Sequence, residues 1–296
     1  MTLVSNDPSW WPMINSFRLS SYFTFASSTA LIYDWVLTFG QEVELIWRQR
    51  FSFMTILYLS VRYVGIPYYI INIMMSSSVT DAVSAILYST LNWINVIVAA
   101  MLDIIMLARL HAMYQGSRKM LIFLTIIFLV VNIACGVIAA VVLKYMSGEE
   151  LILSGTYSCA YIYKADDLLL ISMTWILTAI WEVLALCLSM WIAVKHFRDL
   201  RRLGPSTGST IGDCFRVLIK SHVVYFARAV PASFAAVCCS ALSTQLSPKV
   251  SDLDSVGVQI STAIFEIFSY IQMFVLGPRL ILSVRAYHAE LVANSD

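Results

Sequence analysis

Apolar residues in this chain gather into seven long runs, roughly 19–39, 53–75, 82–107, 120–143, 168–194, 215–242 and 256–277, parted by short polar segments. Each run has about 20 residues or more, the length an α-helix needs to cross a hydrocarbon core about 30 Å thick. The pattern predicts an all-α, polytopic membrane protein with seven transmembrane helices. An odd number of crossings places the termini on opposite sides. The chain then divides into an N-terminal tail over 1–18, a seven-helix domain over 19–277 and a C-terminal tail over 278–296. No connecting segment is much longer than about 25 residues, too short for a soluble domain of ordinary size.

Breaks in the pattern predict local features. Helix 1 should end near Gly40, leaving QEVELIWRQRFS as a short loop, and Pro67 should kink helix 2 or tighten a turn there. The run from Met120 to Leu143 is almost purely aliphatic and should face lipid broadly. The segment KYMSGEELILSGTYSCAYIYKADD mixes apolar and polar residues in a way that suits a short hairpin over the bundle. KHFRDLRRLGPSTGSTIGD, residues 195–213, is basic and carries the breakers Gly204, Pro205 and Gly208. Beyond Gly277-Pro278, the residues Leu280, Ile281, Val284, Tyr287 and Leu291 share one helical face. They predict a short amphipathic helix on the membrane surface, with continuation of helix 7 past a kink as the alternative.

Composition supports the membrane reading and charge orients it. The chain is 59% hydrophobic, 12% charged, and its mean hydropathy is +0.78, whereas a soluble protein carries about 25% charged residues. The first 18 residues have neither the basic start nor the apolar centre of a cleavable signal, so helix 1 is expected to serve as its own anchor. Thirteen of the 19 Lys and Arg fall in or beside the loops after helices 1, 3 and 5 and in the C-terminal tail; four fall on the other side. This bias places the N-terminus outside and the C-terminus in the cytosol. Acidic residues are nearly balanced between the two sides and contribute little to orientation. The net charge of +1 and the lack of a basic patch with interleaved aromatics give no sign of nucleic-acid binding.

Ionisable side chains inside the runs are the candidate chemistry, because each is costly in hydrocarbon and usually faces a partner. Asp34, Arg62 and Asp103 enter from the cytosolic ends of helices 1, 2 and 3. Counted from the run ends, the two aspartates lie roughly 8 Å deep. They predict a cytosolic polar cluster, or else three side chains reaching separately for the interface. Glu182, Arg228 and Glu266 lie near the middle of helices 5, 6 and 7, with Asn92 and Asn95 of helix 3 at similar depth. These five are candidates for a ligand pocket in the bundle core; interhelical hydrogen bonding that only orders the bundle is the competing reading.

Among the six cysteines, Cys135 and Cys187 read as packing residues, Cys214 as a reduced cytosolic thiol, and Cys159 as a possible disulfide partner of Cys238 or Cys239. Helix 7 has no Lys to carry a retinal Schiff base, and four His, two of them in cytosolic segments, do not suit a three-His zinc hydrolase. No phosphate-binding loop or nucleophile elbow is present. No metal and no cofactor are expected, and catalytic residues are not identifiable. Asp103 and Arg109 stand six positions apart, a spacing that does not share a helix face.

Two stretches carry a family resemblance. In residues 22–63 the order Tyr33-Asp34, Thr38, Glu42-Val43, Trp47, Arg62-Tyr63 resembles the N-terminal domain of a large family of basidiomycete fungal membrane proteins, a domain named only as one of unknown function. Residues 277–291, GPRLILSVRAYHAEL, resemble the end of the membrane region in the same proteins. ARLHAMYQGSRK at the end of helix 3 is similar to a frequent element there, with His111 departing from the usual Tyr. The resemblance implies a seven-helix plan and no established activity. The expectation is a plasma-membrane or endomembrane protein of receptor-like topology. It would sense a small or lipidic ligand and report to a cytosolic partner through residues 195–213. The alternative is an intramembrane enzyme resembling seven-helix terpene cyclases, with Glu182 and Glu266 as acids. A transporter is disfavoured because no internal repeat of helices is seen.

Overall fold

A computed structural model describes residues 2–5, 7–48, 52–75, 81–114, 117–153, 156–162, 165–203, 267, 270–279, 281–282 and 285. Five long helices form: α1 (Trp11–Glu42), α2 (Phe53–Met75), α3 (Asp81–Met113), α4 (Arg118–Tyr145) and α5 (Ala165–Leu203). A C-terminal helical segment is described over 270–279 and contains a π-helical turn, Gln272–Leu276. The run 215–242 lies outside the described residues, as does most of 256–277.

Four spans among the described residues are long and apolar enough to cross a membrane: Phe53–Met75, Val83–His111, Arg118–Tyr145 and Leu169–Ile192. The chain is a multi-pass membrane protein. α1 is longer than any of these spans but more polar, because hydroxyl residues crowd its centre. Ser21, Thr24, Ser27, Ser28 and Thr29 each donate to the carbonyl four residues back, at 2.8–3.0 Å. Such back-bonding satisfies the hydroxyls within their own helix.

Helix ends depart from expectation where polar residues prolong a helix. α1 starts at Trp11, eight residues before the apolar run, with Pro12 in the first turn where its missing N–H costs nothing. It passes Gly40 and closes in a π-helical turn, Val43–Trp47, so the expected loop is mostly helical. α5 continues to Leu203, which makes the first half of 195–213 helix rather than flexible loop. α2 runs through Pro67 without interruption. It begins where Ser52 and Thr55 cap each other, each side-chain oxygen accepting from the other's backbone N–H at 3.4 Å.

The segment after α4 is a hairpin, as its mixed polarity suggests. Strands β2 (Ser147–Leu153) and β3 (Thr156–Ile162) pair antiparallel, from Ser147 opposite Ile162 to Leu153 opposite Thr156. The N-terminal strand β1 (Thr2–Ser5) adds to β2 in parallel.

Two apolar cores share α3. One joins α1, α2, α3 and the C-terminal segment around Tyr58, Val61, Val98 and Phe274, with Tyr68, Tyr69, Tyr270 and Phe274 in ring contact at 5.2–6.0 Å. The other joins α3, α4 and α5 around Leu110, Leu124, Val131 and Trp181. α4 turns Ile122, Ile126, Val130, Ile133 and Val137 outward along one stripe, the broad outward apolar face its sequence predicts. Cys135 is half-buried, whereas Cys187 is exposed and does not pack as expected. Cys159 pairs in register with Glu150 on the hairpin; Cys238 and Cys239 lie outside the described residues.

Candidate functional site

On α1, Asp34, Thr38 and Glu42 recur every four residues and so line one face. Opposite them α2 presents Arg62, and the guanidinium fills the space between. Its Nε meets Glu42 Oε2 at 2.6 Å, its Nη2 donates to Thr38 Oγ1 at 2.6 Å and to the Trp35 carbonyl at 3.2 Å, and its Nη1 stands 3.7 Å from Asp34 Oδ2. Thr38 in turn donates to the Asp34 carbonyl at 2.7 Å. The other oxygen of Glu42 accepts from Tyr63 Oη at 3.1 Å and from Trp47 Nε1 at 3.4 Å. From the C-terminal segment, Arg279 pairs with Asp34 Oδ1. Two carboxylates thus face two guanidinium groups. Glu42 is fully buried and Arg62 only 3% exposed, which is tolerable because each charge is both paired and hydrogen-bonded.

A second tie lies nearby. Arg285 donates from Nη1 to the Leu45 carbonyl at 3.0 Å, and from Nη2 to Thr55 Oγ1 at 2.7 Å and Ser52 Oγ at 3.2 Å. Partial burial lowers its pKa from the ordinary arginine value, but an arginine stays charged. The C-terminal segment is therefore held to α1 and to the start of α2 by two guanidinium groups six residues apart.

Asp103 is not part of this cluster, contrary to the expected Asp34–Arg62–Asp103 grouping. Its carboxylate accepts from Asn132 Nδ2 at 3.0 Å and Trp181 Nε1 at 2.9 Å. Those partners sit at the midpoints of α4 and of the α5 span, so Asp103 lies deeper than a count from its run end suggests. Glu182, next to Trp181, accepts from Gln272 Nε2 of the C-terminal π-helical turn at 3.3 Å. Arg228 and Glu266, the expected partners of Glu182, lie outside the described residues. Asn92 donates to the Tyr88 carbonyl in its own helix at 2.9 Å, and Asn95 is half-buried on α3.

Residues 22–67 match a family of unknown function (DUF6533). No curated protein matches the chain. The matched segment covers the latter part of α1, the π-helical turn and α2 as far as Pro67. It contains Asp34, Thr38, Glu42, Ser52, Thr55, Arg62 and Tyr63, the N-terminal half of both ties. Arg279 and Arg285, which complete them, lie outside the match.

Beside this network an almost wholly apolar pocket of about 200 Å³ is lined by Leu31, Ile32, Trp35, Arg62, Ile66 and Phe274. Glu42, Thr38, Arg279, Asn132, Trp181 and Gln272 all belong to these sites, although none of them is a charged residue inside an apolar run. The four-residue spacing of Asp34, Thr38 and Glu42 was a usable signal. So was Asn132, a lone carboxamide amid aliphatic residues at the middle of α4.

Proposed function

We propose that this protein is a seven-helix sensor, with its N-terminus outside and C-terminus in the cytosol, that responds to a small or lipidic ligand in the bundle core. One observation carries the reading. A single C-terminal segment holds Gln272 against Glu182 in the core and Arg279 against Asp34 on α1, with a π-helical turn between the two contacts. π-Helical turns recur at functional sites and supply a local alternative to α-helical geometry. A ligand that competes for Glu182 would shift Gln272 and, through the turn, the grip of Arg279 on Asp34. The cytosolic end of α5 and the rest of 195–213 would then report the change to a cytosolic partner. In this reading Asp103, Asn132 and Trp181 form the polar wall of the same core site.

The test is a thermal-shift screen of terpenoids and fatty alcohols on the full chain in lipid nanodiscs. A stabilising ligand should lose its effect in Glu182→Gln and Gln272→Leu and keep it in Ile126→Leu on the outward face of α4. Unchanged ligand shifts in both core variants would remove the basis of the proposal. Turnover of a prenyl diphosphate would instead favour the intramembrane enzyme. Topology is tested with impermeant thiol reagents on intact cells, using a cysteine-depleted chain. Gly148→Cys should label from outside, and Ser206→Cys only after permeabilisation.

A further inference from the structure

Ser52 stands exposed at the α1–α2 turn, and its hydroxyl lies 3.2 Å from both Thr55 Oγ1 and the Arg285 guanidinium. The preceding sequence, Arg48-Gln-Arg50-Phe51, places two cations within four positions of that hydroxyl. A surface serine that follows basic residues suits a protein kinase that selects basic substrates. An arginine brought from 233 positions away in sequence is already in place to receive the product. We propose that Ser52 is a phosphorylation site whose phosphate locks the C-terminal segment to the α1–α2 turn through Arg285. The inference rests on the cytosolic placement of this turn in the proposed topology.

The chemistry is a phosphoryl transfer from ATP. A bond forms between Ser52 Oγ and the γ-phosphorus, the β–γ phosphoanhydride bond breaks, ADP leaves, and the hydroxyl proton passes to the kinase's own base. The product exchanges a neutral acceptor for a group with a charge of about −1.5 to −2 and three strong acceptor oxygens. Arg285 presents a planar fork that matches such a group, and the resulting bonds are charge-assisted. Placement just ahead of α2 adds no penalty, since the first turn of a helix favours negative charge. The modification therefore tightens the tie. It would hold Arg279 and the π-helical turn in the arrangement seen here, opposing the displacement expected from a core ligand.

The experiment uses the full chain in nanodiscs, where both faces are accessible, with the catalytic subunit of a basophilic protein kinase and ATP. Mass spectrometry should place phosphate on Ser52. Trypsin cleavage after Arg285, which needs that guanidinium free, should slow by about tenfold. Arg285→Lys keeps the charge and the trypsin site but loses the fork, so the slowing should shrink. Ser52→Ala should abolish both the modification and the slowing. No phosphate on Ser52 in folded protein overturns the proposal, and so does phosphate that leaves cleavage unchanged. Labelling of Ser52→Cys from outside intact cells would overturn this inference and the proposed topology together. Protection from that label, combined with failure in nanodiscs, overturns this inference alone.

Discussion

The four charges at the α1–α2 contact are not equivalent, and their exposures rank what each removal should cost. Glu42 is fully buried against Arg62, itself 3% exposed. Truncating one member of such a pair strands the other charge, at roughly 3–5 kcal/mol. Arg279 is half-exposed and solvent screens its pair with Asp34, so its loss should cost about 1 kcal/mol or less. Glu42→Ala should therefore lower the unfolding midpoint in nanodiscs far more than Arg279→Ala. Equal shifts would mean that Arg62 finds another partner or water once Glu42 is gone. Asp103 gives a milder case. Asn132→Leu removes one of its two donors, a loss of about 0.6–2 kcal/mol by the range for interhelical hydrogen bonds in membranes. Asp103→Asn combined with Asn132→Leu should fall short of the sum of the single changes, because both act on one bond.

Close approach between helices depends on two glycines that differ in what faces them. A methyl group on Gly65 of α2 would stand 2.9 Å from Phe274 Cδ1, on a ring packed against Tyr68 and Tyr69. On Gly277 it would meet Leu102 Cδ2, the free end of a flexible side chain. Gly65→Ala should cost about 1–3 kcal/mol. Gly277→Ala should cost less and be relieved by Leu102→Ala; equal costs, or no relief, would show that the backbone gives way instead of the side chain. Those contacts were invisible in the sequence, since they join residues more than 170 positions apart. Helix positions were legible where apolar runs end sharply: α2 spans the same residues as its run, and α4 differs by two at each end. α1 and α5 outrun theirs because hydroxyl and charged residues continue a helix without adding hydropathy. The same effect hid much of the site. Glu42 and Arg279 sit just past the ends of apolar runs, where a search for charges inside them does not look. A count from the run's end at 107 puts Asp103 too shallow, because α3 continues to Met113. Its polar partners, a carboxamide and an indole, carry no charge to flag them.

At the scale of the whole molecule, the C-terminal segment closes the bundle onto its own beginning. Phe274, Ile281 and Leu282 enter the core shared by α1, α2 and α3, while Arg279 and Arg285 tie to Asp34, Leu45, Ser52 and Thr55. Both stretches that carry the family resemblance therefore meet in space, though the family match covers only the first. A chain built this way should tolerate a cut between the partners. Residues 1–205 and 206–296, expressed as separate polypeptides in one membrane, should reassemble and copurify through a tag on the first. Apolar packing gives little drive between helices already in lipid, so the polar ties and the close contact at Gly65 should decide recovery. Arg279→Ala with Arg285→Ala in the second fragment should reduce copurification several-fold, and adding Phe274→Ala should abolish it. Undiminished recovery of the triple variant would show that the fragments are joined by other surfaces and that the two arginine ties do not close the bundle.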